Sequence, residues 1–286
     1  MCPLNDKIVC IQNTIYNCIL QCIALGNNLK GWNYMKSFKK DSLQVNIYDS
    51  RDEMGEHAAG DIAACILKLM ETREEINMIF AAAPSQNEVL SGLRNDVRIP
   101  WNRINAYHMD EYIGLAEDAP QRFSNFLKDA LFDKVPFRSV NLINSAAGIE
   151  EECSRYACLL EENPVDIVCM GIGENGHIAF NDPHVADFND PELVKAVELD
   201  EKCRMQQVHD GCFADLSDVP ACALTLTVPA LMRAPYCFCV VPAKTKAWAV
   251  KNTVLGEIGE ACPATILRNK ENAILYCDAD SAEFLA

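Results

Sequence analysis

The chain has 286 residues, half of them apolar, and 25 Lys and Arg residues stand against 41 Asp and Glu residues, a net charge of −16. This length and composition predict a globular protein with a sizeable hydrophobic core. The excess of negative charge argues against nucleic acid or an anionic membrane as the partner, because phosphate-rich surfaces bind basic faces.

Residues 1–40 differ in charge from the rest of the chain. They carry five Lys and one Asp, a net charge of +4, which leaves −20 for residues 41–286. The apolar run at residues 15–25 is too short to span a bilayer, and no small-residue cleavage site of a signal peptide follows it. We interpret residues 1–40 as a peripheral N-terminal extension, or as a segment outside the functional chain, and residues 41–286 as one domain.

The 15 cysteines of the chain indicate reduced thiols. They lie singly in apolar runs, and the sequence contains no Cys-x-x-Cys motif. The motif that most strongly indicates a paired-thiol zinc site or a dithiol redox site is therefore absent from the sequence. This usage is typical of a cytoplasmic protein.

From residue 43 onward, short apolar runs alternate with amphipathic stretches. The runs predict strands at residues 45–48, 78–82, 104–108, 140–143, 165–170, 223–227, 237–241 and 273–277. The stretches predict helices at residues 54–71, around Val89, Leu90 and Leu93, and at residues 123–132, 148–162 and 246–255. Continuously apolar strands separated by helices indicate an α/β fold, a mainly parallel, Rossmann-like doubly wound sheet with helices on both faces. Such sheets bind ligands beyond the carboxyl ends of their strands.

The first strand end with possible chemistry is Ala81-Ala82-Ala83-Pro84-Ser85-Gln86. Small side chains let an anion approach the backbone, and the free amides at a helix start, together with the Ser85 hydroxyl, suit a phosphate. The alternative is that Ser85 only caps the following helix.

The second strand end is Tyr107-His108-Met109-Asp110-Glu111-Tyr112. Two acids directly after a buried strand are well placed to abstract a proton. Helix capping or surface solvation explains them equally well at this stage.

The third strand end, residues 171–176, has the Gly-x-Gly-x-x-Gly pattern of dinucleotide sites. Pro183 follows too soon for the helix that would hold a pyrophosphate, so we predict a tight loop that presents His177. The neighbours Asn175, Asn181 and Asp182 favour a proton-transferring histidine over a plain loop histidine. No His-x-x-x-His pair or cluster of carboxylates supports a metal site.

Taken together, residues 109–112, 171–181 and 241–247 resemble the glucosamine-6-phosphate deaminase/isomerase family. The segments have the family's order and similar spacing, and the resemblance covers residues 42–286. The string Gly-His-Ile-Ala-Phe-Asn is the most specific, since the related 6-phosphogluconolactonases usually continue Gly-His with Ala-Ser-Leu-Phe.

The resemblance implies conversion of an amino-sugar 6-phosphate, glucosamine 6-phosphate, to fructose 6-phosphate and ammonia. Asp110 matches the family's base, His177 the group that opens the pyranose ring, and Lys246 a phosphate-binding lysine. The predicted catalytic residues are Asp110, Asn175, His177 and Asp182. The predicted substrate-binding residues are Ala82, Ala83, Ser85, Gln86, Glu111, Gly173, Arg204 and Lys246.

The phosphate site departs from the family's pattern in two places. Ala82 and Ala83 replace the glycines of the usual loop, which restricts its backbone. The family's second phosphate ligand, an arginine, falls by spacing near His209, and Arg204 lies five residues before it.

The histidine loop departs as well. Asn175 stands where the family usually has Asp, and Asp182 stands where it has Glu. A carboxylate raises the basicity of a histidine and orients its tautomer, whereas an amide only orients it. The preferred sugar phosphate is therefore left open.

Two alternatives remain from the sequence: a sugar-phosphate lactonase like 6-phosphogluconolactonase, and a non-catalytic sugar-phosphate sensor. Neither they nor the deaminase requires a metal ion or an organic cofactor. Family members often assemble as homo-oligomers, so we expect a homo-oligomer here.

Overall fold

The computed structural model describes residues 36–285, which contain an eight-stranded and a three-stranded sheet. The strands are β1 (Lys36–Lys40), β2 (Leu43–Tyr48), β3 (Ile76–Phe80), β4 (Ile104–His108), β5 (Asp110–Tyr112), β6 (Ser139–Asn141), β7 (Ile167–Met170), β8 (Val194–Glu198), β9 (Cys222–Leu226), β10 (Tyr236–Val241) and β11 (Ala273–Asp278). The large sheet has the order β1-β2-β11-β10-β7-β3-β4-β6. All its pairs are parallel except the antiparallel β1–β2 pair at one edge. The predicted α/β fold with a mainly parallel sheet is confirmed.

The central strands are apolar throughout because both faces of the sheet are buried. All four residues of β7 are at most 2% exposed. Val168 and Met170 belong to one core cluster with Tyr156 of the helix Ile149–Glu162. Phe80 of β3 packs edge-on against Phe132 at a ring distance of 5.7 Å. A strand covered on both sides has no position for an exposed polar residue, which explains the continuous apolar runs.

Helices connect the parallel strands. They are α1 (Arg51–Met70), α2 (Asn87–Asn95), α3 (Phe123–Leu127), α4 (Ile149–Glu162), α5 (Glu201–His209), α6 (Val228–Met232) and α7 (Ala247–Leu255). α1 begins after Ser50, whose hydroxyl accepts a hydrogen bond from the N–H of Glu53 at 3.2 Å, and it packs on β2, β10, β11 and α2. The predicted helix at residues 123–132 is α3 followed by a π-helix, Lys128–Phe132.

A small antiparallel sheet of order β5-β9-β8 was not predicted. The strand expected at residues 223–227 exists as β9 but lies in this second sheet, not in the parallel one. β5 escapes sequence analysis because it is three residues long and starts with two acids. It leaves β4 after a single residue, Met109, which turns the chain from one sheet into the other.

The other predicted strands and helices are confirmed within a few residues at their ends. β1, β8, α5 and α6 were not predicted. β1 lies within the extension expected at residues 1–40, so residues 36–40 are an edge strand of the sheet, while residues 1–35 lie outside the described part of the chain.

The structure also bears on the cysteines and on membrane spans. Every cysteine within residues 36–285 is a free thiol. No helix in that range is both long and apolar enough to cross a bilayer.

The buried central strands make a prediction about stability. Leu275 of β11 is fully buried, whereas Leu255 at the end of α7 is 56% exposed. We expect Leu275→Ala to lower the free energy of unfolding by about 2 to 5 kcal/mol because it leaves a cavity. The matched Leu255→Ala variant should change it by less than about 0.5 kcal/mol. Urea denaturation of both variants measures the difference, and equal losses would contradict the assignment of β11 to the core.

Candidate active site

Four neighbouring strands, in the order β10-β7-β3-β4, deliver the predicted functional residues to one edge of the sheet. β3 leads into residues 81–86, and β4 leads into Asp110. β7 leads into the loop of His177, and β10 leads into the short 3-10 helix Lys244–Lys246. Because the strands are parallel, all these segments leave from their carboxyl ends.

The loop after β7 is a tight turn, as predicted. The N–H of Gly173 donates to the carbonyl of His177 at 2.9 Å, and the N–H of Gly176 donates to the carbonyl of Gly173 at 2.9 Å. Gly176 has φ +89°, a conformation that favours glycine. A Cβ at Gly173 would lie 2.1 to 2.4 Å from ring atoms of His177. Gly173 therefore makes room for the imidazole. The sequence predicts a substrate contact for Gly173, but its N–H already donates to His177 and is not available to a ligand.

The imidazole of His177 is held by two side chains on the same loop. Its Nδ1 lies 2.7 Å from Oδ1 of Asn175 and 3.0 Å from Oδ1 of Asp182. Both atoms are acceptors, so Nδ1 carries the proton and Nε2 is the basic nitrogen. No group in the described part of the chain hydrogen-bonds Nε2. Asp182 thus orients the histidine, as expected.

Asp182 is fully buried yet remains ionised. Burial raises its pKa, but hydrogen bonds from His177, from the Asn175 amide and from the backbone of Asp200 outweigh burial and hold the pKa below its ordinary value. A carboxylate supplied with this many donors stays negative and stabilises a proton on the imidazole.

Two further residues belong to this cluster and were not predicted: Cys203 of α5 and Asp200, the N-cap of that helix. Asp200 accepts a hydrogen bond from the Asn175 amide at 2.9 Å, and the thiol of the buried Cys203 lies within 4.8 Å of a carboxylate oxygen of Asp182. An Asp directly before a helix is a cap signal that the sequence contains, but its contact with Asn175 is a tertiary one.

Two groups of side chains have the composition of metal ligands. Within the described chain, one ligand atom each from His177, Asp182 and Cys203 lies within 4.8 Å of the others, and so do those of Asp182, His184 and Asp200. The hydrogen bonds of Asp182 with His177 and Asp200 account for this proximity.

Asp110 is buried in β5, opposite Thr225 of β9, and is 7% exposed. This position rules out the surface-solvation and helix-capping interpretations of its carboxyl group. Burial raises its pKa well above the usual range, and the negative charge of Glu111 adds to the effect. A carboxylate in such a site binds a proton readily, which is the property a general base needs.

Glu111 has a structural role instead of the substrate contact predicted for it. It is fully buried, and its oxygens accept the N–H groups of Phe123 and Ser124 at 2.9 Å and of Tyr112 at 3.1 Å. Nε of Arg122 lies 3.6 Å away. The carboxylate caps the first turn of α3, where the free N–H groups and the helix dipole favour negative charge.

The segment at residues 82–86 has the features of an anion-binding loop. No acceptor within residues 36–285 pairs with the N–H groups of Ala82 and Ala83. The hydroxyl of Ser85 lies 3.4 Å from the position a Cβ would take on Gly171, so this loop meets the loop after β7. Backbone N–H groups beside small residues suit a phosphate.

Gln86 holds this loop and does not face a ligand, contrary to the prediction. Its side chain is 1% exposed, and its Nε2 donates to the carbonyl of Val240 at 3.2 Å and to the hydroxyl of Ser85 at 3.1 Å. The backbone N–H of Gln86 donates to Ala83.

Lys246 is a buried cation without a hydrogen-bonding partner in the described structure. It is 4% exposed. Burial lowers its pKa, while the carboxylates of Asp210 and Glu174 raise it. A buried ammonium left without a close partner is a site for a bound anion.

The sequence predicts a phosphate contact for Arg204, but the structure engages its guanidinium elsewhere. Its guanidinium donates to the carbonyls of Leu216 and Val219, both at 2.8 Å, and so holds that segment against α5. His209 pairs instead with Glu174 at 3.2 Å.

The fold and this edge define an α/β protein that binds its ligand across the carboxyl ends of parallel strands. A family model described as glucosamine-6-phosphate isomerases/6-phosphogluconolactonase matches residues 49–276. A glucosamine-6-phosphate deaminase of Bacillus cereus (strain B4264) is 34% identical over 217 residues, 76% of this chain and 80% of the relative. The deaminase of Bacillus thuringiensis (strain Al Hakam) is equally similar. The chain therefore belongs to the glucosamine-6-phosphate isomerase/6-phosphogluconolactonase family of enzymes.

Solved structures agree with this assignment. A structure of a monomeric glucosamine-6-phosphate deaminase superposes with a TM-score of 0.76 at 25% identity, covering 84% of this chain and 98% of that one. The 6-phosphogluconolactonase of Thermotoga maritima shares the fold with a TM-score of 0.68 at 20% identity, covering 82% and 99%.

The contact between Gly173 and His177 makes a second prediction. We expect Gly173→Ala to push the imidazole away from Asn175, so that the hydrogen-bonded Nδ1–H signal disappears from the proton NMR spectrum. Turnover should fall by about 100-fold, since small displacements of a reacting group have large effects. The control is Gly259→Ala, where a Cβ meets no atom within 4 Å. Retention of the Nδ1–H signal in Gly173→Ala would contradict the geometry.

Proposed function

We propose that this enzyme converts glucosamine 6-phosphate and water to fructose 6-phosphate and ammonia, with His177, Asp110 and Lys246 acting on different parts of the substrate. The observation that carries the proposal is the meeting of three buried groups at one sheet edge. Cys203 is the common neighbour, because its thiol contacts Asp182 beside His177 and interacts electrostatically with Asp110 and with Lys246.

His177 opens the pyranose ring in this proposal. Its Nε2 is unprotonated and has no hydrogen-bond partner among residues 36–285, so it takes the proton of the C1 hydroxyl and returns one to the ring oxygen. The products of this step are the open-chain aldehyde and the original neutral imidazole. Asn175 and Asp182 stabilise the imidazolium that forms between the two transfers.

Asp110 then moves a proton along the open chain. The aldehyde makes the C2 proton acidic, and the carboxylate takes it. The C1 oxygen receives a proton from the ammonium group of the substrate, which leaves a neutral enolamine with a hydroxyl on C1. Returning the proton to C1 produces an iminium at C2. The burial of Asp110 raises the pKa of its carboxyl group, which helps this group to hold the proton between the two steps.

Water completes the reaction by adding to the C2 iminium and expelling ammonia. The ketone that remains is fructose 6-phosphate. The atoms and charges balance: one water is consumed for each nitrogen released, and the nitrogen leaves as ammonia together with the proton that the substrate ammonium carried.

The phosphate is assigned to the loop of Ala82, Ala83 and Ser85 together with Lys246. The loop follows β3 and Lys246 follows β10. These two strands lie on either side of β7, so the two parts of the proposed phosphate site flank the histidine loop. Free backbone N–H groups and one buried ammonium offset the charge of a phosphate in an otherwise acidic protein.

A lactonase remains the second candidate because the fold is shared with 6-phosphogluconolactonases. The deaminase is favoured by relatives at 34% identity that are named glucosamine-6-phosphate deaminase. A buried Asp110 is also needed for proton transfer at carbon but has no required part in ester hydrolysis. A sensor without turnover is the third candidate.

The cytoplasmic location and the homo-oligomer stay predictions. Free thiols throughout the described chain agree with a reducing compartment. The similar solved deaminase is described as monomeric, so the oligomeric state needs its own measurement.

The function is tested by incubating the purified protein with glucosamine 6-phosphate and measuring both ammonia and fructose 6-phosphate. We expect Asp110→Asn to lower kcat by about 100- to 10,000-fold, because the amide cannot accept the C2 proton. The control is Asp118→Asn, an exposed acid of the following loop. Hydrolysis of 6-phosphogluconolactone that survives Asp110→Asn would favour the lactonase, and binding without either product would favour the sensor.

The phosphate site is tested with Lys246→Met, which keeps the length and the apolar stem of the side chain. We expect KM to rise by about 10- to 100-fold with kcat nearly unchanged, because the lysine binds a part of the substrate that does not react. Lys244→Met is the matched control, since Lys244 is 71% exposed and pairs with Glu283. A loss confined to kcat would place Lys246 at the reacting carbons instead.

A further inference from the structure

The side chain of Asn175 is the centre of the hydrogen-bond network around His177. Its Oδ1 accepts from Nδ1 of His177 at 2.7 Å and from the backbone N–H of the same residue at 3.1 Å. Its Nδ2 donates to Asp182 and to Asp200, both at 2.9 Å. Both amide hydrogens and both oxygen lone pairs are therefore used.

The two carboxylates decide which way this amide points. If the amide were flipped, its oxygen would face the oxygens of Asp182 and Asp200, and its NH2 group would face the Nδ1–H of His177. All three contacts would be repulsive. The amide oxygen therefore faces the imidazole, and this orientation keeps the proton on Nδ1 and leaves Nε2 basic.

Asp200 takes part in this orientation and also begins a helix. One oxygen accepts the N–H of Cys203 at 2.6 Å, which caps α5, while the other accepts from Asn175. The backbone N–H of Asp200 donates to the second oxygen of Asp182 at 3.1 Å. Asp200 thus contacts both Asn175 and Asp182.

We propose that Asp200 is a positioning residue for His177: through Asn175 it supplies the second negative charge and the second acceptor that orient the catalytic imidazole. The proposal rests on the catalytic role given to His177 above. It also explains why residue 175 is an amide, since an aspartate there would bring a third carboxylate into contact with two others.

Other ionisable groups surround the same site and must be kept constant in any test of pH dependence. They lie on the loop after β7, on α5 and its N-cap, on β5 and on the segment after β10, and they are Asp110, Tyr112, Asp182, His184, Asp200, Cys203 and Lys246. None of these except Asp200 is changed in the variants below.

The experiment separates the capping role of Asp200 from its action on the histidine. Ser and Asn both cap helices well, so Asp200→Ser and Asp200→Asn should keep the melting temperature within about 3 °C of the parent chain. Both remove the charge, and Asp200→Ser also removes the contact with Asn175. The matched control is Asp215→Ser, because Asp215 caps the 3-10 helix Leu216–Asp218 through Ser217.

Two readouts are measured on these variants. Proton NMR titration of the His177 ring, assigned with His177→Gln, needs no turnover and therefore tests this inference independently of the proposed reaction. We expect the midpoint of the ring titration to fall by about 0.5 to 1 pH unit in both Asp200 variants, because a nearby negative charge is lost. The kcat for ammonia release should fall by about 10-fold, with a matching shift in its pH profile.

A double variant tests the pairing of positions 175 and 200 directly. Asn175→Asp alone creates three neighbouring carboxylates, whereas Asn175→Asp combined with Asp200→Asn keeps two carboxylates and one amide. We expect the double variant to be about 10-fold more active than Asn175→Asp alone. Its NMR titration midpoint should lie closer to that of the parent chain.

The proposal is overturned if Asp200→Ser and Asp200→Asn titrate and turn over like the parent chain, since Asp200 would then only cap α5. It is also overturned if the double variant is no better than Asn175→Asp. If Asp200→Ser unfolds, the decision rests on Asp200→Asn and on the double variant, both of which retain a capping side chain.

Discussion

The parallel register of β10, β7, β3 and β4 is the constraint from which the site follows. Both faces of these strands are buried, so polar side chains that do chemistry have no place until the strands end. Because the strands run in one direction, their ends open onto one edge and bring together loops that are far apart in the chain. The proposed base, the histidine and the proposed phosphate-binding segment lie there for the same reason that the core is apolar.

The site concentrates negative charge in a buried place and controls it with hydrogen-bond donors. Asp182 receives donors from His177, Asn175 and the backbone of Asp200, and it stays ionised in spite of its burial. Asp110 lies among apolar residues and beside another acid, so burial raises its pKa instead. The pKa values of two aspartates are thereby shifted in opposite directions, so that Asp182 stays charged and Asp110 binds a proton more readily.

The small antiparallel sheet links Asp110, the proposed base, to the histidine loop. β9 pairs with Asp110 through Thr225. The hydroxyl of the same Thr225 accepts the N–H of Phe180 at 3.0 Å, and the carbonyl of Leu226 accepts the amide of Asn181 at 2.8 Å. One strand therefore contacts both the segment of Asp110 and the loop of His177. The asparagine that ends Gly-His-Ile-Ala-Phe-Asn has a structural role, because Asn181 anchors the loop to β9.

The sequence by itself determined the α/β class, most of the strands and helices, and the strand ends that carry Asp110, His177 and Lys246, because apolar periodicity and loop composition are local properties. It did not separate the roles of neighbouring acids: Asp110 and Glu111 are adjacent, yet Asp110 lies opposite Thr225 and is the proposed base, whereas Glu111 caps α3. It also assigned Arg204 to a phosphate, whereas its guanidinium donates to the carbonyls of Leu216 and Val219, because spacing along the chain says nothing about which carbonyls lie near in space. The second sheet and the link from Asp200 to His177 were decided only by tertiary structure, since contacts between residues 25 apart in the chain depend on how the loops meet at the sheet edge.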